Sequence, residues 1–430
     1  MQTRRDFLRK ATVLGGAAGG VLMLDMIGME AVHAAAAKVS HLTPTQAAQD
    51  EDFWFSIREA YSVSPAILNL NNGGVSPQPI VTQNALDRFV RIANEGPAYY
   101  MWRTLGDGRE TIRTKLAELA GVSPEEIAIN RNSSEALETI IYGLDMKAGD
   151  EVLTTTQDYP NMMNAWHQRV KRDGVVVNQV KIPVPPKSFD EIVQIFRAGM
   201  TPKTKIVHLC HMINLSGQIL PVAAIADMAH EHGCEVICDA AHTFAHIDYK
   251  ITDLHCDYFG TSLHKWLCAP FGTGMLWIKK EKIGKIWPLF GAPKDFNMED
   301  IRKFEHLGTR SFPIELAIGT SIDFHNGIGA KRKEERLRFL THYWAERVSA
   351  MPKVKMNTLL KPEMSCAIAN FGIEGMEPGK IQEKLFADSK IYTTTINHDE
   401  IKGVRVTPHV YTSLKDLDYF VRAVEKIAKS

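Results

Sequence analysis

The chain has 430 residues, 45% of them apolar and 23% charged, and its 50 basic and 50 acidic side chains cancel. That length holds one large core and a second, smaller one. A neutral balance without a basic stripe or a polybasic run excludes a face built for nucleic acid or for an anionic lipid surface.

Residues 1–34 differ in kind from the rest. Arg4 and Arg5 open a basic region, a Gly/Ala/Leu-rich stretch follows, and small residues surround Val32-His33-Ala34. The run Thr3-Arg4-Arg5-Asp6-Phe7-Leu8 resembles a bacterial twin-arginine export signal. Glycines and Asp25 interrupt the apolar span, so no stable membrane anchor is expected. No strand precedes "GGAAGG", which therefore does not read as a phosphate loop. The resemblance implies export in the folded state, with the twin-arginine machinery as a partner, a cofactor loaded beforehand and a periplasmic location. Residues 35–70 read as a linker and an N-terminal arm. The polar, alanine-rich part up to residue 50 is expected to be mobile.

From about residue 52 strands and helices alternate. "EEIAIN" (125–130) predicts a strand. "SSEALETIIYGL" predicts a helix with apolar residues at 136, 137, 140, 141 and 144. "DEVLTTT" (150–156) predicts a strand, and "NMMNAWHQRVKRDG" a helix that Gly174 ends. "TKIVHLCHM" (204–212), "CEVICDA" (234–240) and "CDYFGTS" (256–262) are short apolar strands. The helix "VAAIADMAHEHG" (222–233) separates the first two. This alternation predicts an α/β domain over residues 71–310 with a mostly parallel sheet. Ligands of such sheets sit beyond the carboxyl ends of the strands. From residue 311 the character shifts to a charged helix (330–351), the strand "SCAIANFGI" (365–373) and a final helix (416–429). These predict a smaller C-terminal α+β domain over 311–430.

Polar residues gather where the strands end. The strand 125–130 runs into Asn132, Ser133 and Ser134 at a helix start, with Glu135 at the N3 place of a capping box. That pattern serves as a helix cap, and it equally offers free N–H groups to a phosphate. Asp239 ends a buried strand, where a carboxylate needs a cationic partner. The partner is either a structural arginine or histidine or the protonated ring nitrogen of a cofactor. Lys265 lies 26 positions further on, beside Ser262 and His264 in "TSLHKWLCAPFGTGML" (261–276). A lysine in so apolar and glycine-rich a segment is a snorkelling strand-end residue or an amine that forms a Schiff base. Together an amine, a carboxylate and hydroxyls at a helix start are the parts that pyridoxal 5′-phosphate (PLP) needs.

The segments "CDAAHT" (238–243) and "GTSLHKWLCAPFGTGML" (260–276), in this order and spacing, resemble the class V aminotransferases of the fold-type I PLP enzymes. That group includes cysteine desulfurases, kynureninases and isopenicillin N epimerase-like proteins, and the resemblance covers roughly residues 65–425. It implies an α/β fold-type I PLP-dependent transferase and a role for each matching position. Lys265 would hold the cofactor aldehyde and, once released, serve as the acid–base group at the substrate α-carbon. Asp239 would pair with the pyridine nitrogen, and His242 and Asn214 would lie near the ring hydroxyl. Ser133, Ser134, Ser262 and His264 would contact the phosphate. Tyr159, in "QDYPN" (157–161), would stack on the ring. Thr309, in "FEHLGTRSF" (304–312), matches a segment that reaches the phosphate of a neighbouring subunit, which implies a homodimer with shared active sites. Arg405, in "GVRVTPHVYTS" (403–413), matches the arginine that clamps the substrate carboxylate. Asn72, in "NLNNGGVSP" (69–77), matches a loop near the substrate.

PLP weakens the bonds to the α-carbon, and the protein selects the one that breaks. Desulfuration needs a nucleophilic cysteine on the loop before the substrate arginine, and "KIYTTTINHDEIKGVRV" (390–406) holds none. Transamination needs one acid–base group, Lys265. Epimerisation needs a second, for which Tyr159, His398, His409 and Tyr411 are candidates. The sequence therefore reads first as an aminotransferase acting on an amino acid or peptide-like metabolite. The alternatives are an isopenicillin N epimerase-like epimerase, a PLP-dependent lyase and a non-catalytic binding protein of the same fold. The last would not require both Lys265 and Asp239. His208, Cys210 and His211, with nearby His230 and His232, are not read as a metal site, because strand alternation puts His208 and Cys210 on a face that His211 leaves. The six cysteines lack Cys-x-x-Cys spacing and read as buried free thiols.

Overall fold

The computed structural model describes residues 28–399 and 401–429, so the twin-arginine run lies outside the described residues. The large domain is built on seven strands: β1 (Ile127–Asn130), β2 (Glu151–Thr155), β3 (Val176–Val180), β4 (Thr204–Cys210), β5 (Glu235–Asp239), β6 (Tyr258–Ser262) and β7 (Gly274–Ile278). Their order across the sheet is β1-β7-β6-β5-β4-β2-β3. All neighbours pair in parallel except β7, which runs antiparallel between β1 and β6. The reversal lets the short segment 263–273 join β6 to β7, because antiparallel neighbours need no crossover helix. Every residue of β1, β6 and β7 is buried, as expected of strands covered on both faces. β3 is not among the strands predicted from sequence: it is a half-exposed edge strand whose valines are interrupted by the polar Asn178 and Gln179.

Among the helices that flank these strands are α1 (Ser133–Gly143), α2 (Pro160–Asp173) and α3 (Val222–Glu231). Asn132 caps α1 by accepting from the Glu135 N–H at 2.9 Å. Pro160 sits in the first turn of α2, and Gly174 ends that helix at φ +72°, a conformation glycine adopts at no steric cost. The helix α4 (Phe312–Ile328) packs on the large domain, with Ile318 and Ile322 in one core with Ile112 and Leu116. The change of domain therefore falls after α4, later than residue 311. The apolar composition of α4 belongs to the core it joins.

The small domain has the antiparallel sheet order β10-β11-β9-β8, from β8 (Val354–Met356), β9 (Ala369–Ile373), β10 (Thr394–His398) and β11 (Ile401–Val406). Helices α5 (Ala330–Ser349) and α6 (Leu414–Ala428) pack on it. Trp344 meets Phe420 edge-to-face at 5.3 Å and Phe371 at 6.0 Å, which fixes this core.

The segment expected to be mobile is ordered. Residues 28–38 are helical, and Val32, Ala35, Val39 and Ala47 are buried in a cluster with Trp54, Phe324 and Leu337. The positions 32, 35 and 39 form one apolar stripe of a helix, and alanines let it lie close to its neighbours. Trp54 donates its indole N–H to the Ala47 carbonyl at 2.8 Å, and Arg336 lies over the same ring at 5.3 Å. Further along the arm, Leu68 and Asn69 pair in parallel with Ile391 and Tyr392, tying it to the small domain.

Candidate active site

A cavity of about 290 Å³ opens at the carboxyl ends of the large sheet. Its floor and walls carry Ser133, Ser134, Tyr159, Asn214, His242, Ser262, His264, Lys265 and Arg405, residues the sequence singled out from six separate segments. Parallel strands bring those segments together, since each strand ends on the same edge.

One corner is the start of α1. The Ser133 N–H donates to Ser262 Oγ at 3.0 Å, and Ser262 Oγ donates to Ser133 Oγ at 3.0 Å. Gly274 makes this corner possible: a Cβ there would stand 2.6 Å from the backbone of Asn132. The capping box read from the sequence is only half made, because Glu135 Oε2 accepts from the Arg131 N–H at 2.6 Å. His264 is oriented by its Nδ1 against the Thr273 carbonyl at 3.0 Å.

The centre is electrostatic. Asp239 ends β5 and is 5% exposed, and burial pushes its carboxyl up to about 6. Its Oδ1 accepts from the Ala241 N–H at 3.0 Å, which leaves Oδ2 for a cation. Lys265 Nζ lies 3.3 Å from His242 Nε2 and 5.9 Å from the centroid of the Tyr159 ring. Burial lowers the Lys265 ammonium to about 8, against the opposing pull of the Asp239 charge, with Arg405 lowering it further. A lysine so tuned carries a reactive neutral fraction at neutral pH. Burial, with the nearby Lys265 charge, also drives His242 well below its ordinary range, so its ring is neutral. Asp158 holds the turn that presents Tyr159: its carboxylate accepts from the Thr155 N–H at 2.6 Å and the Cys210 N–H at 2.9 Å.

The far corner joins the two domains. Arg405 on β11 donates to the Asn214 carbonyl and to Asn71 Oδ1, both at 2.9 Å, and burial lowers its guanidinium to about 10. Asn71, with Gly73 and Gly74 on the cavity wall, was missed by the sequence reading. The signal available was the polar, glycine-rich run "NLNNGG", of which Asn72 was the wrong member. Asn72 is fully buried and spends its side chain on the Thr407 carbonyl, Asn69 and Tyr411, so it builds the loop and does not line the cavity. Thr309 is exposed on the segment after residue 305 and is absent from this cavity. Of the further proton donors considered, His409 contacts Cys268 and Tyr411 contacts Asn72, while His398 lies at the end of β10; only Tyr159 lines the cavity.

Unpartnered atoms show what the cavity is shaped for. His242 Nδ1, Asn214 Oδ1 and Arg405 Nε are buried and lack a hydrogen-bond partner among the described residues. Buried polar atoms are seldom left so, and three around one cavity mark a site that a polar group completes. A neutralisable amine, a carboxylate free on one oxygen and hydroxyls at a helix N-terminus match the aldehyde, the ring nitrogen and the phosphate of PLP.

The comparisons agree. The chain is 29% identical over 394 residues to an isopenicillin N epimerase of Amycolatopsis lactamdurans, covering 87% of this chain and 99% of that protein. It is 26% identical over 384 residues to a probable cysteine desulfurase of Synechocystis, covering 84% and 90%. The solved structure of C-DES with glycine covalently linked to its PLP cofactor superposes with a TM-score of 0.78 at 20% identity, covering 86% of this chain and 98% of that one. The fold is thus that of the fold-type I PLP enzymes. The model of the aminotransferase class V family matches residues 71–423, and the chain belongs to that PLP-dependent family.

Proposed function

We propose that this protein is a PLP-dependent enzyme that removes the α-proton of an amino acid or peptide-like metabolite, with transamination as the reaction. One observation carries the reading: a single amine base, Lys265, faces a cavity shared with the Arg405 guanidinium, and the buried Asp239 carboxylate lies near enough for its charge to act on Lys265. PLP, when bound, supplies an electron sink for the α-carbon. Asp239 would hold the ring nitrogen and favour its protonated form. Ser133, Ser134, Ser262 and His264 would hold the phosphate, and His242 and Asn214 the ring hydroxyl. Tyr159 would pack on the ring. Arg405 would bind the substrate carboxylate and orient the substrate for proton removal. Lys265 then takes the α-proton and returns it.

A second reading, epimerisation, is favoured by Tyr159, another proton-carrying side chain in the same cavity, and by the likeness to isopenicillin N epimerase. A PLP-dependent lyase shares the same first step. Desulfuration is disfavoured because all six cysteines are buried and none lines the cavity. We further propose a homodimer in which Thr309 of each subunit serves the other's cavity, and export in the folded state through the twin-arginine leader to the periplasm. Sedimentation of the purified protein and fractionation of cells that express the full chain test these two points.

The reaction is tested with PLP-loaded protein and a panel of amino acids in deuterated water. The wild type is expected to show a visible cofactor band and to exchange the α-proton of its substrate. Lys265→Ala is expected to lose exchange by about a thousandfold or more. Conversion of the cofactor to its amine form marks transamination, inversion without conversion marks epimerisation, and release of ammonia with a keto acid marks elimination. No band in the presence of PLP would sink the enzyme reading.

A further inference from the structure

Directly after Lys265 the backbone makes a costly turn. Cys268 adopts φ +57°, in the left-handed region that a non-glycine residue enters only at a steric cost. Such a conformation persists only where its surroundings over-determine it. Here the surroundings are side chains of α4 and α5. Lys333, in the first turn of α5, is 3% exposed and donates its Nζ to the Trp266 carbonyl. It makes no ion pair with a carboxylate among the described residues, and burial lowers its ammonium to about 8. Ser321, on α4, donates to the Cys268 carbonyl at 3.3 Å and shares a hydrogen bond with Thr82 at 3.0 Å. The Trp266 ring is stacked between His246 at 3.8 Å and His409 at 5.6 Å. His246 also reaches back to the His242 carbonyl at 2.6 Å.

A buried lysine spent on one backbone carbonyl is an expensive way to fill space. A methionine of the same reach would do so without a desolvation penalty. We propose that Lys333 is a positioning residue: through the Trp266 carbonyl it fixes the strained turn that aims Lys265 into the cavity, with Ser321 as its second anchor.

The inference rests on the PLP reading for only one of its two measurements. Full-length wild type and Lys333→Met, each incubated with PLP, are compared by hydrogen exchange of the 263–269 amides and by the pH midpoint of the visible band. Thermal unfolding is followed alongside. In Lys333→Met the exchange is expected to quicken about tenfold in that segment alone. The midpoint is expected to move by about half a pH unit. The melting temperature is expected to hold or rise. Lys331→Met, at a neighbouring exposed lysine, leaves both measurements unchanged. Unchanged exchange together with an unmoved midpoint overturns the proposal. So does faster exchange throughout the chain with a lowered melting temperature, which marks a merely structural residue. Should Lys333→Met fail to fold, Ser321→Ala decides: quickened exchange confined to 263–269 supports the proposal, and unchanged exchange overturns it. A wild type without a visible band would fail the PLP reading, and the exchange comparison would still decide the role of Lys333.

Discussion

The two ends of the cavity are built differently. The Ser133 corner belongs wholly to the large domain, and its parts touch through backbone: β7 lies against Asn132 because residue 274 is glycine. The Arg405 corner is assembled from distant pieces, with β11 of the small domain bonded to Asn71 of the arm and to Asn214 beyond β4. The first corner is as rigid as the sheet. The second exists only when both domains and the arm are in register. One end is suited to a resident group and the other to a molecule that comes and goes.

Three substitutions test that contrast, in falling order of expected effect. Gly274→Ala drives a methyl into the backbone of Asn132, and neither side can swing away. It is expected to cost about 3 kcal/mol or more in chemical unfolding and to weaken PLP binding with it. A variant of wild-type stability would show the first corner to be pliable. Arg405→Gln should leave the PLP affinity within about threefold while the amino-acid concentration for half-saturation rises about a hundredfold. Equal losses for PLP and amino acid would erase the distinction between the ends.

Asp239 sharpens the comparison, because it lies between the corners. In the cofactor-free protein its carboxyl titrates near 6, above the ordinary 3.8. The folded state therefore holds this proton more tightly than the unfolded chain. The stabilisation is complete below the ordinary value and is lost as pH rises through about 6, at a cost on the order of 3 kcal/mol. Asp239→Asn should raise the melting temperature of the cofactor-free protein at pH 7 and lose that advantage near pH 4, while PLP binding weakens. A wild type and variant that differ equally at both pH values would show that Asp239 carries no such penalty.

What the sequence disclosed follows from distance along the chain. Asn132 and Ser133 sit where a strand meets a helix, and Asp239 and Lys265 sit at or just past the end of an apolar strand; such ends are local patterns of apolar runs and caps. The link from Arg405 to Asn71 spans 334 positions, and no local pattern encodes it. The choice between Asn71 and Asn72 was invisible for the same reason: it depends on Thr407 and Tyr411, far away in sequence. The arm was misjudged because alanine carries little hydropathic signal, yet alanine allows the close approach that buries Val32, Ala35, Val39 and Ala47. The strand β3 escaped because Asn178 and Gln179 break its valines at an exposed sheet edge, and α4 looked like the start of a new domain until its contacts with Ile112 and Leu116 placed it.

The pairing of Leu68 and Asn69 with Ile391 and Tyr392 has a consequence for how the molecule comes into being. A ribosome delivers the chain from one end. Every residue of the Ser133 corner, together with Asp239 and Lys265, has been made by Ile278, and α4 completes their core by Ile328. The arm must then wait, its strand without a neighbour, until residue 391 arrives, and the far corner waits for Arg405. In the order of synthesis, the seat proposed for the cofactor precedes the grip proposed for the substrate.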